Sequence, residues 1–156
     1  YDSGTVSRKN LTDAFKEAIK NGADVINFSG GGPEINEIEL NIIKKNPKIM
    51  FIVAAGNDNR SLDDKGYSFY PASYSSYLHN VVPVGNIDAN GDKVSSSNWG
   101  KNVIIKETGE NVLSSVPCHV VSGKTVCKDS FTGTSQATAI YSGKLLAKTS
   151  KLCEYQ

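Results

Sequence analysis

Two stretches of the chain carry residue types that could perform acyl transfer. Near the C-terminal end, Phe131-Thr-Gly-Thr-Ser-Gln-Ala-Thr-Ala139 places Ser135 in an uncharged turn. Ala137, Ala139, Leu145, Leu146 and Ala147 follow, and they read as a buried helix. A serine at such a junction sits at a helix N-terminus, where unpaired N–H groups and the helix dipole favour negative charge. A nucleophile belongs there, because an oxyanion develops beside it. The same serine could equally be an ordinary N-cap. The second stretch is Val53-Ala-Ala-Gly-Asn57, a small-residue strand end presenting an amide that can donate to an oxyanion. Two glycine-rich strand ends, Gly30-Gly31-Gly32 and Gly56-Asn57, could accept an extended peptide by backbone pairing.

The elements that must hold these residues alternate. Asn10 to Lys20 predicts an amphipathic helix, with Leu11, Ala14, Phe15, Ala18 and Ile19 at helical spacing. Asn10 or Thr12 is expected to cap it and Asn21-Gly22 to stop it. Asp24 to Ser29 predicts a short strand. Glu34 to Lys45 predicts a helix with an apolar stripe of Ile35, Ile38, Ile42 and Ile43. Ile49 to Ala55 is continuously apolar, as suits a parallel strand buried on both faces. A polar, tyrosine-bearing loop from Arg60 to Tyr77 follows, then strands at Asn80–Gly85 and Val103–Ile105. Helix and strand in alternation imply an α/β fold, a mostly parallel sheet with helices on both faces. In such sheets ligands bind at the carboxyl ends of strands, where both glycine-rich stretches fall.

A chain of 156 residues is one domain or a large piece of one. Hydrophobic content of 38% and charged content of 21% fit a globular protein with a real core. A net charge of +1 implies no long-range attraction to nucleic acid or to anionic membrane. No apolar run reaches membrane-span length, and no leader-like segment precedes Tyr1, as expected of a mature or excised chain. Of three cysteines, Cys118 and Cys127 flank a turn at Ser122-Gly123-Lys124 between two β-rich runs, and Val112–Val116 and Val120–Val126 form the expected hairpin. A hairpin there would bring them close enough to bridge, which implies an oxidising, extracytoplasmic location. Cys153 is left over, either free or paired outside the chain.

Four segments, in order, resemble the subtilisin-like serine proteases: Gly22-Ala-Asp-Val-Ile-Asn-Phe-Ser-Gly30, Val53-Ala-Ala-Gly-Asn-Asp58, Tyr70-Pro-Ala72 with Val81-Val-Pro-Val-Gly85, and Gly133-Thr-Ser-Gln-Ala-Thr138. The joint match spans most of the chain. The resemblance implies that residues 1–156 are the C-terminal part of a peptidase catalytic domain, incomplete at the N-terminal side of its sheet. It implies Ser135 as nucleophile, with the Asn57 side chain and the Ser135 N–H as oxyanion donors. Ser29, Gly30 and Gly31 would line one side of the peptide cleft, and Ala54, Ala55 and Gly56 the other. The substrate would be a peptide or protein. Loops of this family often hold calcium, for which Asp58, Asp63 and Asp64 are available. No other cofactor is implied.

The chain departs from the family pattern in several places. Gln136 stands where methionine is usual, and no proline follows at Ala139 or Ile140. The family order is Asp, His, then Ser, with the oxyanion asparagine between His and Ser. Here the two histidines, His79 and His119, both follow Asn57, and both read as surface or structural residues. Asp2-Ser3-Gly4 lacks the context of the family's aspartate motif. The base and its orienting carboxylate are therefore expected from an N-terminal half of the same protease, lost by cleavage or supplied as another chain. A homo-oligomer is the other expected assembly. Without that half, the strand beginning at Asp24, or a neighbour, would become a sheet edge. Val25, Ile26, Ile52 and Val53 would then lose cover. A noncatalytic subtilase-like interaction module or degenerate paralogue is the alternative function. An α/β-hydrolase is disfavoured, since Ala137 replaces the glycine of Gly-x-Ser-x-Gly and no histidine follows Ser135. Asp88-Ala-Asn-Gly-Asp92 resembles the start of a calcium loop but reads as a plain turn, with Trp99 where the closing glutamate should be.

Overall fold

The computed structural model describes residues 8–149. Asp2 and Cys153, with the expectations attached to them, lie outside the described residues. The first helix, α1, is Arg8–Lys20. Asn10 and Thr12 fall inside it rather than capping it, and the Thr12 hydroxyl donates to the Lys9 carbonyl at 3.0 Å. Its stop is the expected one. Gly22 takes φ +81°, and the Ala23 N–H reaches back to Ala18 O at 3.1 Å, satisfying carbonyls of the last turn. The second helix, α2, is Glu37–Lys45 and starts three residues later than its composition suggests. The cause is Asn36, whose side chain accepts from Ile38 N and Glu39 N and so fixes the N-cap. The apolar stripe is accordingly narrower: Ile43 is fully buried and Ile42 half-buried, while Ile35 and Ile38 are exposed.

Four parallel strands form the sheet in sequence order: β1 Val25–Phe28, β2 Met50–Ala54, β3 Val81–Ile87 and β4 Ile105–Thr108. β2 is buried on both faces, which its unbroken apolar run anticipates. Phe51 and Val53 face α1 and α2, within a cluster holding Phe15, Ile26, Ile43 and Tyr74. Phe15 meets Phe28 and Phe51 edge-on, with centroids 5.6 and 5.5 Å apart. Ile52 points the other way and packs with Val84 against Ala137 of the last helix, α3, Thr134–Thr149. Helices thus cover both faces. Each of these fully buried side chains contributes about 1.5–3 kcal/mol through loss of apolar contact with water.

Three expectations are corrected by the packing. β4 begins at Ile105, because Val103 is buried in the preceding loop and Ile104 points to solvent. Only one face of α3 is buried, carrying Thr134, Ala137, Thr138 and Ser142. Ala139, Leu146 and Ala147 lie on its exposed side, because the 3.6-residue period turns them away from the sheet. β1 is the sheet edge as expected, yet Ile26, Ile52 and Val53 keep their cover, and Val25 packs against the Ile52 cluster. The two helical layers supply that cover without any further chain.

The hairpin is longer than the sequence suggests. β5, Val112–Val121, pairs antiparallel with β6, Lys124–Phe131, around a two-residue turn, Ser122-Gly123, with φ +49° and +76°. Cys118 and Cys127 are disulfide-bonded across it, as expected. β6 leads directly into the turn before Ser135.

Candidate active site

Ser135 is the second residue of α3. Its own N–H lies in the first turn, where no carbonyl one turn earlier is available to accept it. The preceding turn is pinned on both sides. Gly133 N donates to Gly109 O at 2.9 Å, and Gly133 O accepts from Ala137 N at 3.2 Å. Gly109, at the end of β4, comes so close that a Cβ there would lie 2.6 Å from both Ala137 N and Gly133 O. Asn86, at the end of β3, is 1% exposed and accepts from Gly109 N at 2.8 Å. The turn before Ser135 is therefore seated on the carboxyl ends of β3 and β4.

The carboxyl end of β2 supplies the second group. Thr134 N donates to Asn57 Oδ1 at 2.9 Å, and Gly56 N donates to Thr134 Oγ1 at 3.2 Å. Because a backbone N–H requires an acceptor, the contact fixes which way the Asn57 amide faces. Its Nδ2 is left as a donor beside the start of α3. Asn57 itself is exposed, so that donor is open to a ligand. A Cβ built on Gly133 would lie 3.5 Å from both Asn57 Nδ2 and Oδ1, an ordinary contact distance, so the amide packs directly against this turn.

The carboxyl end of β1 completes the cluster. Ser135 Oγ donates to Ser29 O at 2.8 Å, and Ser29 Oγ donates back to Ser135 O at 2.9 Å. Asn27 bonds Ser29 Oγ at 3.2 Å and accepts from Ser142 Oγ at 2.9 Å, tying β1 to the next turns of α3. Of the residues expected along the two edges, Ser29 after β1 touches Ser135, and Gly56 after β2 touches Thr134; Gly30 and Gly31 follow the one, and Ala54 and Ala55 precede the other. A groove of about 670 Å³ runs along Ser29–Gly32, walled by Leu11, Phe28 and Tyr70.

Asn98 was not legible as part of this site. It is 1% exposed and uses all four positions of its amide. Oδ1 accepts from Asp58 N and Arg60 N, both at 3.0 Å, and Nδ2 donates to Ala55 O at 2.9 Å and to Tyr67 Oη at 2.8 Å. It thereby clamps the loop bearing Asn57 from Ala55 to Arg60. Gly56 takes φ +102°, and a Cβ there would collide with Asn98 Nδ2, so the clamp requires glycine. Tyr67 Oη donates in turn to Asp58 Oδ2 at 2.6 Å. Burial, then the bond to Asp58, pushes the Tyr67 phenol up to about 12.

Neither histidine joins the cluster. His79 is exposed and precedes β3, at the amino end of the sheet, opposite Ser135. His119 is exposed on the hairpin, with Nδ1 3.3 Å from Pro117 O. The three carboxylates available for calcium do not converge. Asp58 holds Tyr67, Asp63 Oδ2 accepts from Lys101 N at 2.8 Å, and Asp64 faces Arg60 Nε at 3.6 Å. They do not fit a calcium site, and no group of three or more His, Cys, Asp or Glu side chains converges among the described residues. Asp88 Oδ1 caps its own turn, accepting from Asn90 N and Asp92 N at 2.9 Å.

The family model described as "Subtilase family" matches residues 1–152. The chain belongs to the subtilase family. It is 30% identical over 142 residues to Subtilisin DY of Bacillus licheniformis, covering 90% of this chain and 47% of that protein. It is 33% identical over 144 residues to halolysin of Haloferax mediterranei, covering 91% of this chain and 25% of that protein. The protease domain of PatA aligns with a TM-score of 0.72 at 27% identity, over 91% of this chain and 49% of that one. The prenylagaramide maturation protease PagA aligns with a TM-score of 0.71 at 29% identity, over 95% of this chain and 53% of that one. This subtilase chain spans about half the length of Subtilisin DY and of the PatA and PagA chains. Its relatives include both a protease of Natrialba magadii named as extracellular and the major intracellular serine protease of Bacillus subtilis. No helix among the described residues is long and apolar enough to cross a membrane.

Proposed function

We propose that this chain supplies the nucleophile and oxyanion hole of a subtilisin-like serine endopeptidase. The observation that carries the reading is the Thr134 N–Asn57 Oδ1 bond of 2.9 Å, which turns the Asn57 Nδ2 donor outward beside Ser135. In this reading Ser135 Oγ attacks the scissile carbonyl and its proton passes to a histidine on the N-terminal half of the domain. The new oxyanion is held by Asn57 Nδ2 and Ser135 N–H. The tetrahedral intermediate expels the amine, which takes the proton back, and water then hydrolyses the acyl-enzyme. An extended peptide lies between Ser29–Gly31 and Ala54–Gly56.

In this chain the Ser135 proton is engaged by Ser29 O, an amide carbonyl that cannot remove it. Alone, the chain is therefore a poor acyl acceptor. The partner is the N-terminal half carrying Asp and His, or in its absence a second copy of the chain. The disulfide supports an oxidising, extracytoplasmic location. The lack of a base against Ser135 among the described residues is equally what a noncatalytic interaction module or degenerate paralogue would show. A fluorophosphonate probe separates the two. The isolated chain is expected to label slowly, and the chain assembled with its N-terminal half to label stoichiometrically at Ser135. An assembled domain that never labels refutes the protease reading. Rapid labelling of the isolated chain refutes the need for an external base.

A further inference from the structure

We infer that Phe69 closes the space beside the scissile bond, so that the protease cleaves after small residues. The inference rests on the protease reading above. It starts from the position of the ring. A Cβ built on Gly31 would lie 2.8 Å from Phe69 Cζ and collide with Cε1. A Cβ built on Gly56 would lie 3.0 Å from Phe69 Cγ and 3.1 Å from Cδ1. The ring therefore bridges the two proposed cleft edges, its tip against Gly31 and its base against Gly56. It fits only because neither residue has a side chain.

Phe69 is held in place. Its N–H donates to Ser73 Oγ at 2.9 Å and its carbonyl accepts from Ser73 N at 2.8 Å. The next residue, Tyr70, forms a two-way bridge with Gly32, through bonds of 2.9 and 2.7 Å. Tyr70 lines the groove along Ser29–Gly32, and Phe69 lies between Gly31 and Gly56. The backbone at Phe69 and Tyr70 is thus fixed, and the ring leaves the space between Gly31 and Gly56 only by changing its own side-chain rotamer.

The consequence for substrate follows from the reacting atoms. A carbonyl within reach of both Ser135 Oγ and Asn57 Nδ2 belongs to a residue lying between Ser29–Gly31 and Ala55–Asn57. That residue's side chain is directed at the space between the edges, which the ring occupies. Glycine, alanine and serine need little of that space. Leucine, phenylalanine and tyrosine would have to displace a packed aromatic ring, and overfilling a packed site carries a cost on the order of 10–100-fold in affinity.

The test is a series of tetrapeptide nitroanilides differing only in the last residue (Gly, Ala, Leu or Phe), assayed on the assembled protease. The wild-type protein is expected to favour Ala over Phe in kcat/KM by at least about tenfold. Phe69→Ala is expected to reverse that order, and Phe69→Leu to move it part-way. Hydrolysis of the Phe substrate as fast as the Ala substrate by the wild-type protein overturns the inference, whether or not the variants fold. A fully active Phe69→Ala protein that keeps the preference for Ala also overturns it. Absence of hydrolysis of every substrate, with Ser135 unlabelled by the phosphonate, refutes the protease reading instead.

Discussion

Replacing Asn98 with alanine removes the clamp on the Asn57 loop while leaving every residue of the proposed chemistry in place. Four hydrogen bonds disappear. Their partners are not equivalent. Asp58 and Arg60 are exposed and Tyr67 is half-buried, so water can take over those three bonds in large part. Ala55 is fully buried, and water cannot easily reach its carbonyl. An orphaned buried acceptor costs about 1–3 kcal/mol, and partly rehydrated bonds a fraction of 0.5–1.5 kcal/mol each, so the total comes to about 3 kcal/mol. Chemical denaturation of the assembled protease measures it. The functional effect is separate. A loop released at Ala55 and Asp58 lets Asn57 drift, and a displacement of about 1 Å costs on the order of 100-fold in rate. The loss is expected in kcat, with KM little changed. In an Asn57→Ala background the same Asn98→Ala change should cost almost nothing further in kcat, because the group it positions is gone. Stability within about 0.5 kcal/mol of wild type, or a kcat loss that persists in the Asn57→Ala background, would refute the reasoning.

The remaining predictions concern the hairpin and the tyrosine. Non-reducing peptide mapping should find Cys118 joined to Cys127, and reduction should raise amide exchange within residues 112–131 while leaving the four-stranded sheet protected. The local loss is about 2–3 kcal/mol, and a link from either cysteine to Cys153 would be incompatible with the hairpin. Tyr67 ionises near 12 in the folded protein against 10.0 when unperturbed, so its contribution is complete below pH 10 and is lost as pH rises toward 12. Burial raises Tyr74 and Tyr77 as well, so Tyr67→Phe should lessen the alkaline loss of stability in melts between about pH 9 and pH 12 without abolishing it. An unchanged alkaline profile in Tyr67→Phe would show that the phenol is not buried against Asp58.

What the sequence by itself determined was the alternation of elements and the residues at their ends. The unbroken apolar run of β2, the stop at Gly22, the hairpin pairing Cys118 with Cys127 and the placement of Ser135 in the first turn of a helix are all local properties. Short-range sterics, turn chemistry and hydrophobic period govern each of them. The tertiary structure decided which faces those elements bury and which distant groups meet. Leu146 and Ala139 are as apolar as Ala137, but only the rotation of α3 against Ile52 and Val84 separates the covered from the exposed. Ile26 and Val53 keep their cover because α1 and α2 close that face of the sheet, a fact no strand pattern contains. Asn98, Gly109 and Phe69 carry no local signal at all. Asn98 matters because four polar groups from two segments converge on one buried amide. Gly109 matters because α3 starts against it, and Phe69 because two strand ends leave a ring-sized gap between their glycines. Such convergence depends on how the layers pack, and a linear pattern of residue types does not record it.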